Sequence, residues 1–422
     1  MIWNRKIKAG ALQFVLFIGA IIAVLLMSFV LISHTHTLFK KKTDVTVALI
    51  QAADQGLAYS FEQSVQNGDL LQVPDDDGTG IATTVQKKYW GLLEIRSVLA
   101  KKGKLEFEKT GFVGYGQSEI SALYLKENQR PMVIAGDAKI TGTVQLPERG
   151  IKMGNIGGLG YTRPQLVYGR QQRSSSTLPK LDREFLQQQE RLSNPYFVPQ
   201  GEEVDLKPGT VLKNSFKEET QLIKGFTIDL EKTALSGNVM VWASQKIMVH
   251  PSTELHDVVL VAPYIEIKEG VRGNFQAVAS ERILVGKRAQ LGYPTVLSAN
   301  ESKNTNKELG GSRIPNILVE NGASVAGIVL YMGPDETKDV RPHIKIEENA
   351  QVIGEVYCSR NLELKGDIYG SVTTDAFIAL ENGNAYQNHL FHGKLDATML
   401  PLGYGGLCYE DKQANRILKW LY

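Results

Sequence analysis

Seven histidines are the first candidates for proton transfer or metal binding: His34, His36, His250, His256, His343, His389 and His392. Only His389 and His392 stand at a spacing that suits shared metal ligation. No cysteine or further histidine lies near enough in the chain to complete a four-ligand site. They are read as surface or satisfied histidines, and no metal is expected. Six charged residues, Asp257, Arg272, Arg282, Arg288, Asp367 and Asp375, could line one side of a stacked structure. Carboxylates and guanidinium groups gathered there would suit cleavage of a glycan chain. Charges are also the normal way to keep outward positions soluble, and no two carboxylates stand at a telling spacing. The expectation is a protein that is not an enzyme, with no catalytic, cofactor-binding or metal-binding residue. Gly154, Gly157, Gly158, Gly160 and Gly169 are followed by no Gly-Lys-Ser or Gly-Lys-Thr, so they form no phosphate cradle. Of the two cysteines, Cys358 falls at an apolar repeat position and reads as a buried thiol. Pairing with Cys408 would need an oxidising compartment.

The elements that would carry such residues begin with a helix. Between Lys8 and His34 lie 25 uncharged residues, Ala9 to Ser33, with Gln13 the strongly polar one. At about 1.5 Å per residue the stretch reaches roughly 37 Å, enough to cross a bilayer core of about 30 Å with some tilt. The apolar run is too long for a cleavable signal and ends in a poor cleavage site, Val30-Leu31-Ile32-Ser33-His34. It predicts an uncleaved anchor in contact with membrane lipid. Arg5, Lys6 and Lys8 precede it directly, whereas Lys40, Lys41 and Lys42 follow at a distance. The positive-inside rule then places the N-terminus in the cytoplasm and the body outside it. Val45, Leu49, Ala52, Ala53, Leu57 and Phe61 form one stripe, so residues 44–66 are expected to leave the membrane as an amphipathic helix. Asp75-Asp76-Asp77-Gly78 is a loop. Tyr89 to Leu99 suits helix or strand, and residues 105–127 suit short strands. A polar helix with a solvated face is expected from Lys180 to Leu192.

A repeat shows through from about residue 204 to 388. Gly322-Ala323-Ser324-Val325-Ala326-Gly327-Ile328-Val329 aligns with Asn349-Ala350-Gln351-Val352-Ile353-Gly354-Glu355-Val356 and with Gly366-Asp367-Ile368-Tyr369-Gly370-Ser371-Val372. Looser copies begin at Gly270 and Arg288, and residues 136–144 fit too. A second half-repeat starts at Trp242, Val261, Val278, Tyr357 and Thr373. Ala262 to Ala279 is 17 positions, Ala279 to Ser298 is 19 and Cys358 to Thr374 is 16. That period is too short for an α-hairpin repeat. It suits one coil of a parallel β-helix, in which identical inward positions stack and several coils are needed to bury the apolar face. Stretches 299–316 and 332–343 break the pattern and read as ejected loops. Ile346, Val352, Cys358, Leu364 and Gly370 fall six apart, as in hexapeptide-repeat acyltransferases, but the register breaks elsewhere and no histidine sits in their catalytic context.

The Ala-x-Val-x-Gly-x-Val type of coil, clearest at 349–372, resembles that of the bactofilins, polymer-forming bacterial β-helix proteins. The resemblance covers the C-terminal part of the chain and implies a cytoskeletal assembly through stacked ends. This sequence departs from it in its long N-terminal region and its C-terminal tail. The span running into an amphipathic helix is similar in topology to pilins and pseudopilins. The prepilin cleavage signal and the early acidic residue expected there are absent.

The fold class expected is mainly β: an N-terminal transmembrane helix continuing into an amphipathic helix, a small α/β membrane-proximal region, then a parallel β-helix with loop insertions and a short C-terminal helix. The segments are a cytoplasmic tail (1–8), the transmembrane helix (9–33), the membrane-proximal region (34–130), a first β-helix-like segment with a Gly-rich loop and polar helix (131–203), the β-helix (204–388) and a C-terminal cap (389–422). The cap is expected to be a helix over 410–421 whose Ile417, Leu418, Trp420 and Leu421 cover the last coil. With 47 basic and 45 acidic side chains, net +2, no nucleic-acid partner is expected. The chain reads as a single-pass inner-membrane protein of the bacterial envelope, a scaffold or binding surface for protein or glycan partners. A bactofilin-like polymer and a glycan-active enzyme are the alternatives.

Overall fold

The computed structural model describes residues 9–116, 120–301, 314–334, 340–410 and 414–421. The expected tail (1–8) and the centres of the two expected loops (302–313 and 335–339) lie outside the described residues. The chain divides into two compact units, one of residues up to 65 with 70–86 and 97–109, the other of 66–69, 87–96 and 110 onward.

The first unit begins with helix α1, Ala9–Glu62. The helix has no proline to break it. The hydroxyls of Thr35, Thr37, Thr43 and Thr46 each donate to the carbonyl four residues earlier, at 2.8–3.0 Å. This one helix is long and apolar enough to cross a membrane. Beyond residue 44 it becomes one-sided as expected: Leu49, Ala53 and Leu57 are buried, and Val45, Ala52 and Phe61 half-buried. The buried stripe meets a sheet at Gly56, where a Cβ would lie 2.7 Å from Thr83 Cγ2. Leu70–Val73 pairs antiparallel with Ala82–Trp90 in that sheet. The ambiguous stretch Tyr89–Leu99 is strand, divided between Ala82–Trp90 and Leu93–Lys102.

The second unit is a closed sheet whose strands are parallel throughout most of its length. Its register stacks like on like. One inward row reads Ile228, Ile247, Ile265, Ile283, Ile317, Ile344, Leu362 and Phe377. A second reads Leu235, Leu255, Gly273, Leu291, Val325, Val352, Ile368, Leu395 and Ile140. The apolar members of both rows belong to a single buried core. Neighbours in a row lie about 4.8 Å apart, so each side chain packs on its own kind above and below. The glycines at one corner stack as well: Gly327 pairs with Gly354, and Gly354 with Gly370. A Cβ on Gly354 would stand 2.0 Å from the Gly327 carbonyl oxygen, so only glycine turns the chain there.

Three features differ from expectation. The half-repeat partner of Ala279 is Ala299, not Ser298, because the register shifts between Gly273 and Gln276. The strand Asp367–Glu381 is not the end of the sheet. Its free edge is taken by Ser121–Leu125 and Lys394–Asp396. The sheet then continues through Lys139–Thr141 and Thr143–Leu146 to Gln171–Arg173. Residues 121–173 thus extend the far end of the stack that 202–396 builds. The third difference is the C-terminus. Residues 414–421 are not a helix covering the last strand but a strand, Ala414–Leu421, antiparallel to Leu105–Gly116. An unpaired strand edge offers a full row of backbone donors and acceptors, and this tail fills it.

Candidate interaction surfaces

Side chains on one outer flank of the parallel sheet point away from the core and are nevertheless buried. The row is Leu222, Met240, Val259, Gln276, Val296, Ile328, Glu355 and Ser371. The next outward row, Trp242, Val261, Val278, Ser298, Leu330 and Tyr357, joins it. Together with Trp90, Leu92, Phe112, Phe185, Leu192 and Leu407 their apolar members form a second core. Helix α2, Arg183–Ser193, is part of the cover. Asp182 caps it by accepting the Phe185 N–H at 3.1 Å. The expected solvated helix therefore has a buried side: Phe185, Gln189 and Leu192 are enclosed, and the Gln189 amide donates to Ser298 Oγ at 2.8 Å. Its charges and glutamines hid that face in the sequence.

Polar residues on and beside the covered rows serve as fastening points. Gln276 accepts the Leu92 N–H at 2.7 Å and donates to the Trp90 carbonyl at 2.8 Å, gripping the turn at Gly91. Asp257 accepts the Trp90 indole N–H through its backbone carbonyl, at 2.8 Å. Its carboxylate holds Lys419 at 2.6 and 2.8 Å and the Asn274 amide at 2.7 Å. Glu355 accepts the Leu407 N–H at 2.8 Å. Burial pushes its carboxyl up to about 7, against the smaller opposing effect of that N–H. Deeper in the cover four charges balance. Glu94, 2% exposed, pairs with Arg96, 3% exposed, at 2.5 Å and with Lys87 at 3.6 Å. Lys87 also meets Glu184 at 2.6 Å, and the Tyr115 hydroxyl donates to Glu94. Isolated buried charges are costly, and mutual pairing offsets that cost.

The six charged residues singled out from the sequence do not converge. Asp257 belongs to the covered flank. Arg272 and Asp367 share an outward row, with Gln290, Ser324 and Gln351 between them. Arg282 lies with its guanidinium 5.8 Å from the Tyr264 ring centroid. Arg288 pairs with Glu269, and Asp375 with Lys126 at 3.1 Å. The histidines are equally dispersed. His392 pairs with Asp137, and His389 Nδ1 lies 2.6 Å from the Gln387 carbonyl. His250 lies 2.7 Å from Asp229, and His256 bonds Asn274 at 3.0 Å. His343 is buried beside Tyr331. His34 and His36 are exposed on α1. Among the described residues no three His, Cys, Asp or Glu side chains gather as a metal site would need. Cys358 and Cys408 are both buried and unpaired with each other.

Sequence reasoning missed Gln276, whose partners are more than 180 residues away, and the Lys87–Glu94–Arg96 group, which Glu184 joins from 97 residues away. Glu355 left a signal. In the aligned repeats it occupies the place of Ile328 and Ser371, one residue after the corner glycine. No protein-family model, curated protein or solved structure matches this chain.

Proposed function

We propose that the chain is a non-catalytic, membrane-anchored scaffold of the bacterial envelope, and that its parallel sheet is a β-helix presenting an outer flank to protein or glycan partners. The observation that carries the reading is the eight-position inward row from Ile228 to Phe377, with like residues bonded one repeat apart. A stack of this kind offers an extended flank. Helix α1 supports the anchor, and the basic residues Arg5, Lys6 and Lys8 support a cytoplasmic N-terminus in the inner membrane with the body outside. The dispersal of the candidate carboxylates, arginines and histidines is what favours binding over glycan cleavage. The full chain should stay with the membrane fraction after alkaline carbonate washing. Recovery in the soluble fraction would remove the anchor from the reading.

The polymerising alternative draws on one feature. Val211–Asn214 pairs with Ala234–Gly237 alone among the described residues, and Val211 is 78% exposed. An open edge of this kind can receive another chain. Filaments of the detergent-solubilised full chain in electron micrographs would favour the polymer. Uniform single particles would favour the scaffold.

A further inference from the structure

Residues 401–410 lie on the covered flank without being part of its repeat. Their hold on the sheet passes through few groups. The Tyr404 hydroxyl donates to the Gly327 carbonyl at 3.0 Å, and the Tyr293 hydroxyl donates to the Gly405 carbonyl at 2.8 Å. Leu407 donates its N–H to Glu355. Gly406 sits so close to the carboxyl that a Cβ there would be 2.5 Å from it. A glutamate thus stands in a mostly apolar row, and the tail is shaped to seal it. Around it stand Tyr293 from the sheet, Tyr357 from its own strand, and Tyr404 and Tyr409 from the tail. All of these are neutral near pH 7 in their unperturbed state. The nearest cation in this group, Arg416, spends its hydrogen bonds on the Leu402 and Tyr404 carbonyls. Among the described residues no cation pairs with Glu355.

We propose that residues 401–410 form a latch over the flank of the sheet, and that the charge on the buried Glu355 carboxyl sets how firmly it closes. Neutral Glu355 fits the dry contact with Gly406. An ionised carboxylate has one N–H and no counter-charge, so it gains by opening to water. The sign follows from the direction of the shift. The carboxyl is held up to about 7 when the latch is closed and returns toward its ordinary 4.5 when it opens. Closure is therefore firmest below about pH 4.5, weakens as pH rises toward 7, and changes little above that. Opening would uncover Tyr357, whose ring centroid lies 6.4 Å from that of Tyr409, which gives the proposed scaffold a pH-controlled patch. The device does not depend on the scaffold reading, because it concerns the tail and the sheet alone.

Hydrogen exchange of the full chain in detergent tests it, corrected for the intrinsic pH dependence of exchange. Protection of amides 405–409 should fall by roughly 100-fold between pH 5 and 8.5, most of it below pH 7. Amides of the strand Arg272–Val285 should not change. In Glu355→Gln the protection of 405–409 should be independent of pH. Constant protection in the wild-type chain, or the same fall in E355Q, would overturn the proposal. Should E355Q fail to fold, the wild-type profile decides: a fall that continues up to about pH 7 supports the latch, and no fall above pH 5 rejects it.

Discussion

Gln276 is the residue whose loss should be felt farthest from its own position. Its amide satisfies both a donor and an acceptor of the Trp90–Leu92 turn. Gln276→Ala leaves the Leu92 N–H and the Trp90 carbonyl buried without partners, at about 1–3 kcal/mol for each such group. The variant should lower the thermal midpoint and expose residues 90–92 to hydrogen exchange before the inward rows open. Unchanged protection of that turn would mean the amide contributes nothing there. Asp257 shows what charge type alone leaves unread. An aspartate among outward arginines suited glycan chemistry in the sequence, yet its carboxylate is committed to Lys419 and Asn274. Nothing in the chain near Asp257 announces Lys419, which is 162 residues away. Glu355 left a trace that went unread, an acidic residue where the aligned repeats hold Ile328 and Ser371.

At the scale of elements, the corner glycines and the stacked rows should differ in how they fail. Gly354→Ala places a Cβ 2.0 Å from a backbone carbonyl that cannot move without shifting the neighbouring strand. It should prevent folding or yield a chain lacking cooperative unfolding by circular dichroism. Gly322 has a φ of +73°, but a Cβ there would meet no heavy atom nearer than 3.5 Å. Gly322→Ala should cost only the backbone strain, about 1–3 kcal/mol, and remain folded. Equal behaviour of the two would show that strain and not close approach governs the corners. Ile283→Ala, in the middle of an isoleucine row, should cost about 2–5 kcal/mol through lost burial and a cavity. Denaturant titration reads that loss. The rows themselves were legible, since a repeat of near-constant length reports directly which residues stack. The tail was not. Ile417, Leu418, Trp420 and Leu421 satisfy a helix pattern on a short stretch, and what decides for strand is the free edge of residues 110–116.

At the scale of the whole molecule, chain order and spatial order part company. Residues 121–173 come before 202–396 in sequence yet sit beyond them in the sheet, joined at the Val372–Leu123 and Leu395–Ile140 pairs. No periodicity could reveal this, because a repeat fixes register between copies and not which copy neighbours which. The N-terminal span, by contrast, needs no partner to be read: length and the absence of charge suffice. The central claim is an anchored chain with its body outside the cytoplasm. Its most direct test places a single cysteine at the exposed Lys232 (Lys232→Cys) and treats cells, with any outer barrier permeabilised, with a membrane-impermeant maleimide. Cys358 and Cys408 are buried and should stay silent in the folded protein. The account predicts labelling before lysis, equal to that after lysis. Labelling that appears only once the inner membrane is broken would contradict it.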